Sequence, residues 1–231
     1  MNLVLLFKED FVSDGLARLQ GRRAEHITRV HRAVEGDTLV AGIADGRIGS
    51  ATITTMTADS VEMRVALDRD PPPPVPLTLI LTLPRPKVLN RVIASATSLC
   101  VMEIHLINAW RVEKSYWQSP KLSEDNLREQ CVAGLEQARD TVFPRITLHR
   151  FFREFVEGFT SEAIKLVAHP HAAAECPRNV NVPTALAIGP EGGFIAEELA
   201  SFERIGFQSV TMGERILRVE TAVAALIARL Y

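Results

Sequence analysis

The 231 residues hold 26 Lys and Arg against 28 Asp and Glu, a formal net charge of −2, with 47% apolar and 23% charged residues. That balance suits a folded chain with a sizeable core and excludes a disordered or uniformly basic protein, so any nucleic-acid contact must come from locally gathered cations. No apolar run reaches the roughly 20 residues that span a bilayer, and Cys100, Cys131 and Cys176, odd in number and far apart, fit a reducing cytoplasm better than a disulfide framework.

In chain order, residues 1–8 read as a strand, since they lack a basic leader and a small-residue cleavage site. Residues 22–34 read as a helix. Strands follow at 38–44, 48–56 and 60–67, with Asp45-Gly46 as a hairpin turn. Asp68-Arg69-Asp70 then leads into Pro71-Pro72-Pro73-Pro74-Val75-Pro76, a stiff polyproline-like connector over 71–76. It divides a small β-barrel domain, residues 1–70, from a larger domain, residues 77–231. The larger domain alternates strands and helices. Strands are expected at 77–83, 102–107, 164–169, 184–188 and 208–212. Helices are expected at 87–98, 123–139 with Ser123 as N-cap, 197–205 and 219–230. Such alternation predicts a mostly parallel sheet covered by helices.

Two loops carry chemistry. The first is Gly189-Pro190-Glu191-Gly192-Gly193-Phe194, directly after the apolar run Ala185-Leu186-Ala187-Ile188. In parallel α/β sheets ligands bind at the carboxyl ends of strands, and glycine lets backbone amides approach them closely. The pattern is neither a dinucleotide fingerprint nor a phosphate loop. A purely structural turn, with Glu191 solvated, is the competing reading. The second loop is Met212-Gly213-Glu214-Arg215-Ile216-Leu217-Arg218, followed by Val219-Glu220-Thr221-Ala222. Its two arginines suit an anionic ligand, whereas Glu220 and Thr221 could equally cap a helix. In that last helix Val219, Val223, Leu226 and Leu230 share an apolar face.

Residues 18–32 hold five arginines against Glu25 alone, a local charge of +4. Arg22, His26 and Arg29 fall on one helical face and Ile27, Val30 and Val34 on another. This suits phosphate contact through Arg22, Arg23, His26, Arg29 and Arg32, although a plain solvated helix would look similar. Lys114, Tyr116, Trp117 and Lys121 form a second basic and aromatic group, with rings available for base stacking or for the core. His169, His171 and Cys176 lack a zinc-ligand spacing, so no metal is expected.

Together the two loops resemble one family. Gly-Pro-Glu-Gly-Gly-Phe at 189–194 followed by Met-Gly-Glu-Arg-Ile-Leu-Arg-Val-Glu-Thr-Ala at 212–222 is similar to the RsmE family, 16S ribosomal RNA uridine-N3 methyltransferases of the SPOUT superfamily. His26, Val30, Arg32 and Gly36-Asp37 resemble that family's H-x-x-x-V-x-R…G-D signature. Glu136-Gln137, Arg139 and Pro144 resemble its central E-Q-x-x-R…P segment. The likeness spans nearly the whole chain. Two departures stand out: Phe7-Lys8 replaces an opening R-x-F, and Ser95-Ala96-Thr97-Ser98-Leu99-Cys100 replaces K-A-x-E-L-G.

The resemblance implies a SPOUT-type α/β knot, a deep trefoil with helices on both faces of the sheet, behind a PUA-like barrel. It also implies a homodimer, a 16S rRNA or small-subunit substrate and S-adenosyl-L-methionine as methyl donor. The cofactor would lie among Leu166, Ala168, His169, Ile188, Gly189, Glu191, Gly193, Met212, Gly213, Ile216, Leu217, Arg218, Thr221 and Ala222. Arg139 or Arg218 would stabilise the uridine anion, and Glu220 or Glu191 would accept its proton. Another RNA position, or a non-catalytic ribosome assembly factor, are the alternatives.

Overall fold

A computed structural model describes residues 2–231; of the expected first strand, Met1 lies outside the described residues. The chain forms two compact units, residues 1–73 with 132–143, and residues 74–131 with 144–231. No helix among the described residues is long and apolar enough to cross a membrane.

The first unit comprises β1 (Val4–Leu6), β2 (Phe11–Ser13), β3 (Leu16–Gln20), α1 (Gly21–Glu25), β4 (Thr38–Ile43), β5 (Ile48–Met56) and β6 (Ser60–Arg69). Its six strands run in the order β1-β4-β5-β6-β3-β2, with β1 parallel to β4 and the other pairs antiparallel. Alternation fills the core: Ala51, Ile53, Val61 and Met63 are buried on paired strands. The division of the chain is not linear. Residues 132–143 join this unit, where Asn2 N–H donates to the Glu136 carbonyl (3.1 Å), Asp45 N–H to the Thr141 carbonyl (2.8 Å) and Phe143 N–H to Asp45 Oδ1 (2.9 Å).

The basic helix differs from expectation. After α1 the chain widens into a π-helical turn, His26–Val30. A π turn advances by more residues than an α turn, so positions three and four apart no longer stack on one face. Ile27 is buried, but Val30 and Val34 are 63% and 60% exposed and do not share its face.

The second unit comprises β7 (Val75–Thr82), α2 (Pro86–Ser98), β8 (Val101–Ile107), the start of α3 (Glu124–Ala138), β9 (Arg145–His149), α4 (Phe152–Gly158), β10 (Ile164–Ala168), β11 (Ala174–Glu175), β12 (Thr184–Ile188), α5 (Ala196–Arg204), β13 (Gln208–Thr211) and α6 (Val219–Leu230). The prolines end earlier than expected, since Val75 and Pro76 already lie in β7. Ser123 caps α3, accepting the Asn126 N–H at 3.3 Å. The seven-stranded sheet has the order β11-β13-β10-β12-β7-β8-β9, and every pair is parallel. β12 is buried along its whole length, as a central parallel strand must be. On α6, Val219, Val223, Leu226, Ile227 and Leu230 are buried.

Where β8 meets β9, His105 Nδ1 and His149 Nε2 lie 3.0 Å apart beside Phe155, so one ring must be neutral to accept the hydrogen bond. Burial lowers both pKa values. At His105, Glu103 opposes the shift while His149 and Arg145 add to it. Above the ordinary histidine pKa neither folded nor unfolded chain binds these protons, so they contribute no pH dependence. As pH falls through about 6.5 the unfolded chain takes them up first, and stability is lost. Thermal melts are expected to show a midpoint that drops from pH 7.5 to 5.5, and less steeply in His149→Asn. Equal slopes for parent and variant would contradict this coupling.

Candidate functional site

β13, β10, β12 and β7 are neighbours in the sheet. Ala168 pairs with Ile188 and with Val210, and Ile188 pairs with Leu81, so all four strands end together. The segments that follow leave one edge of the sheet. Adjacent strands lie about 4.8 Å apart, so the turns after β13, β10 and β12 emerge within roughly 10 Å of one another.

The turns after β10 and β13 are tied to each other. Thr211 Oγ1 accepts the Gly213 N–H at 3.2 Å and sits 3.0 Å from the Gly213 carbonyl and 3.2 Å from that of Pro170. His169 N–H donates to the Val210 carbonyl (2.9 Å), while burial and the neighbouring His171 hold the His169 pKa below the usual histidine range. In the 189–193 turn, Gly193 N–H donates to the Pro190 carbonyl (2.7 Å), and Gly193 takes a left-handed φ of 69°. Gly189 is buried against this turn: a Cβ there would meet the Phe194 backbone nitrogen and Cδ2 at 3.1 Å and Gly193 Cα at 3.3 Å. Gly213 has φ 111°, open only to glycine.

Side chains then hold the 189–193 turn from outside. Glu191 Oε1 accepts the backbone N–H of Arg85, the N-cap of α2, at 3.2 Å and lies 3.9 Å from its Nε. Arg111 donates to the Gly192 carbonyl, with its stem lying where a Cβ on Gly192 would go. Glu198, 6% exposed, accepts the Ile195 N–H (3.0 Å) with one oxygen and the Trp110 N–H (2.7 Å) with the other. Sequence reasoning missed Arg85, Arg111, Glu198 and Thr211. Only Glu198, three residues after the N-cap Ile195, left a signal, that of a capping residue.

Residues expected around a cofactor fall into three classes. Leu166, Ile188 and Gly189 are buried; Ala168, His169, Gly193, Met212, Gly213, Leu217 and Ala222 are partly exposed; Glu191, Ile216, Arg218 and Thr221 are exposed. Arg218 is the N-cap of α6 without a side-chain capping bond, so neither Glu220 nor Thr221 caps that helix. Glu220 instead lies 4.0 Å from Arg91 on α2. Arg139 is in the first unit, at the end of α3, with φ 60°. No group of three metal-ligating side chains assembles among the described residues.

The five basic residues are not equivalent. Arg23 is turned inward, bound to both oxygens of Asp10 (2.8 and 2.9 Å) and to the Leu5 carbonyl, with its guanidinium 5.2 Å from the Phe7 ring centre. These bonds tie α1 to the Asp10 segment within the first unit, while over a third of the Arg23 side chain stays exposed. Arg29 pairs with Glu25 at 2.7 Å on the surface, where such a pair is weak and easily exchanged for phosphate. Arg22 and Arg32 are exposed, the latter with φ 53°, and His26 packs edge-on to His31.

The family model for an RNA methyltransferase domain matches residues 71–231. Ribosomal RNA small subunit methyltransferase E of Treponema pallidum is 32% identical, covering 99% of this chain and 90% of its own. Ribosomal RNA small subunit methyltransferase E 1 of Borreliella burgdorferi is 24% identical over 97% of this chain and 95% of its own. The fold is shared with a crystal structure of ribosomal RNA small subunit methyltransferase E from Neisseria gonorrhoeae bound to S-adenosyl methionine. It matches with a TM-score of 0.77 and 23% identity over 98% of this chain and 95% of that one. From motifs, sheet edge and full-length relatives alike, this chain belongs to the ribosomal RNA small subunit methyltransferase E family.

Proposed function

We propose that this chain transfers the methyl group of S-adenosylmethionine to N3 of a specific uridine in 16S ribosomal RNA. The observation that carries the reading is the common edge at which the turns after Ala168, Ile188 and Thr211 emerge, the first and last of them tied by the Thr211 hydroxyl. The residues present fit the cofactor. Glycines at 189, 192 and 193 put no side chain of their own into the turn, and Ile216, 72% exposed next to Leu217, offers an apolar wall.

S-adenosylmethionine supplies, when bound, an activated methyl group on a sulfonium. The chain's own work is to orient the base and manage one proton. Uridine N3 carries a hydrogen that must leave. Arg218, exposed at the start of α6, would favour the resulting anion. Glu191 and Glu220 are the carboxylates available to take the proton. Each has an arginine close by, Arg85 and Arg91. Arg139, in the first unit, is tested with them by substitution.

Further parts of the reading follow from the resemblance. The second unit is a trefoil-knotted domain and the first a PUA-like barrel that holds RNA through Arg22, Arg29, Arg32 and His26. The protein acts as a cytoplasmic homodimer. In support of the knot, the chain leaves β13 on one side of β10 and returns as α6 to pack on α2 and β12 on the other. The alanines of α6 (Ala222, Ala224, Ala225 and Ala228) would let a second copy approach closely.

Deleting the gene is expected to remove one N3-methyluridine from small-subunit RNA, as read by nucleoside mass spectrometry, and the wild-type gene to restore it. An unchanged N3-methyluridine level with a different nucleoside lost would move the target. No change at all would remove the enzymatic reading.

A further inference from the structure

Trp110 is 80% exposed, yet its backbone is anchored to a buried side chain. Its N–H donates at 2.7 Å to Glu198, a carboxylate that is itself buried and whose other oxygen starts α5. The next residue, Arg111, hooks onto the Gly192 carbonyl, and Val112 N–H closes a turn back to Ala109 at 3.1 Å. A buried charge is costly unless its hydrogen bonds are used. Here both oxygens fix the two segments that flank the 189–193 turn. The result is a large flat indole with no protein over it, carried beside that turn on a backbone already ordered.

The same segment carries a second, half-buried aromatic group. Trp117 Nε1–H donates to Asn108 Oδ1 at 3.0 Å, and the Arg150 guanidinium sits 5.9 Å from the Trp117 ring centre. Between residues 110 and 121 three cations stand against Glu113 alone. Aromatic faces among surface cations match unpaired nucleotides, whose bases stack and whose phosphates need countercharge. They match a second protein surface less well, since that would bury the cations.

The geometry points to Trp110 as a stacking platform for an unpaired RNA base next to the nucleotide being modified. The inference rests on the methyltransferase reading, because that reading makes RNA the substrate at this edge. Preorganisation explains why the backbone is clamped: the ordering cost is met on folding rather than on binding.

The test uses the full-length protein. In Trp110→Ala the KM for small-subunit RNA is expected to rise about ten- to a hundredfold, the range that loss of one base stack gives. The KM for S-adenosylmethionine should stay unchanged, and Trp110→Phe should recover most of the loss. In a Trp117→Phe background, a uridine-rich single-stranded RNA is expected to quench Trp110 fluorescence, and inorganic polyphosphate of equal charge to leave it unaltered. An RNA KM unchanged in Trp110→Ala overturns the platform. So does quenching by polyphosphate alone, or a Trp110→Ala protein that sediments as a smaller species with RNA KM intact, which would make Trp110 a subunit contact. If the parent methylates no RNA, the enzymatic reading fails, and the quenching titration alone then decides the platform.

Discussion

Replacing Gly189 by Val is expected to abolish the stabilisation that S-adenosylmethionine confers, in a protein that still folds. Even a single carbon at this position meets the Phe194 backbone nitrogen and ring at 3.1 Å. Two further methyl groups cannot be housed without opening the 190–193 turn, which the 2.7 Å bond from Gly193 N–H to the Pro190 carbonyl holds shut. Overpacking of this kind costs about 1–3 kcal/mol, or roughly 2–12 °C in a chain of this size. Binding suffers more, because the turn is the surface proposed to face the ligand. At a ligand concentration about a hundredfold above Kd, the parent gains about 2.7 kcal/mol. Melting curves with and without S-adenosylmethionine should therefore separate for the parent and coincide for Gly189→Val. Equal ligand-induced shifts in both proteins would show that the turn does not contact the ligand.

Phe202→Ala is expected to produce the largest loss of stability. Phe202 on α5 is fully buried, with ring centres of Phe152, Phe194 and Phe207 at 5.5, 5.2 and 5.0 Å. Truncating a buried phenylalanine costs about 3–5 kcal/mol, part of it from edge-on aromatic pairs. That is a large share of the ~5–15 kcal/mol that stabilises a typical domain. The effect should reach the ligand as well, because Phe194 links the aromatic cluster to the 189–193 turn through its contact with Gly189. Urea unfolding should show a lower midpoint with an unchanged slope, and S-adenosylmethionine affinity should fall at temperatures where the variant is still folded. A change below about 1 kcal/mol would mean that the cluster closes over the gap and does not brace the turn.

The elements that could be read from sequence were those whose pattern is long or uninterrupted. β12 announced itself as an unbroken apolar run, and α6 as a repeat of buried residues at three- and four-residue spacing. β5 is a long strand of nine residues rich in β-branched side chains, with Ile48, Ala51 and Ile53 turned into the core. Short polar elements left weaker traces. β9 is an edge strand of five residues with its side chains half-exposed, and α4 spans only two turns. β2 and β3 flank Asp14-Gly15, a hairpin signal that was there to be used. Val30 and Val34 were misplaced because periodicity arguments assume an α-helix, and the chain switches to a π turn at His26.

For the site, glycine spacing marked both turns, since their conformations and close approaches leave a compositional trace. The clamps did not show. Glu198 reaches Trp110 across 88 residues and Arg111 reaches Gly192 across 81. A single chain carries no local signature of such pairs. Arg23 shows the same limit: its place in a basic run does not reveal its bond to Asp10, thirteen residues earlier.

Calorimetric titration of S-adenosylmethionine into the full-length protein decides whether the edge formed by 169–170, 189–193 and 212–218 is a methyl-donor site. Saturable heat corresponding to one ligand per chain, lost in Gly189→Val and kept in Trp110→Ala, is the predicted outcome. The absence of heat for the native protein at millimolar ligand, with its fold intact, would contradict it.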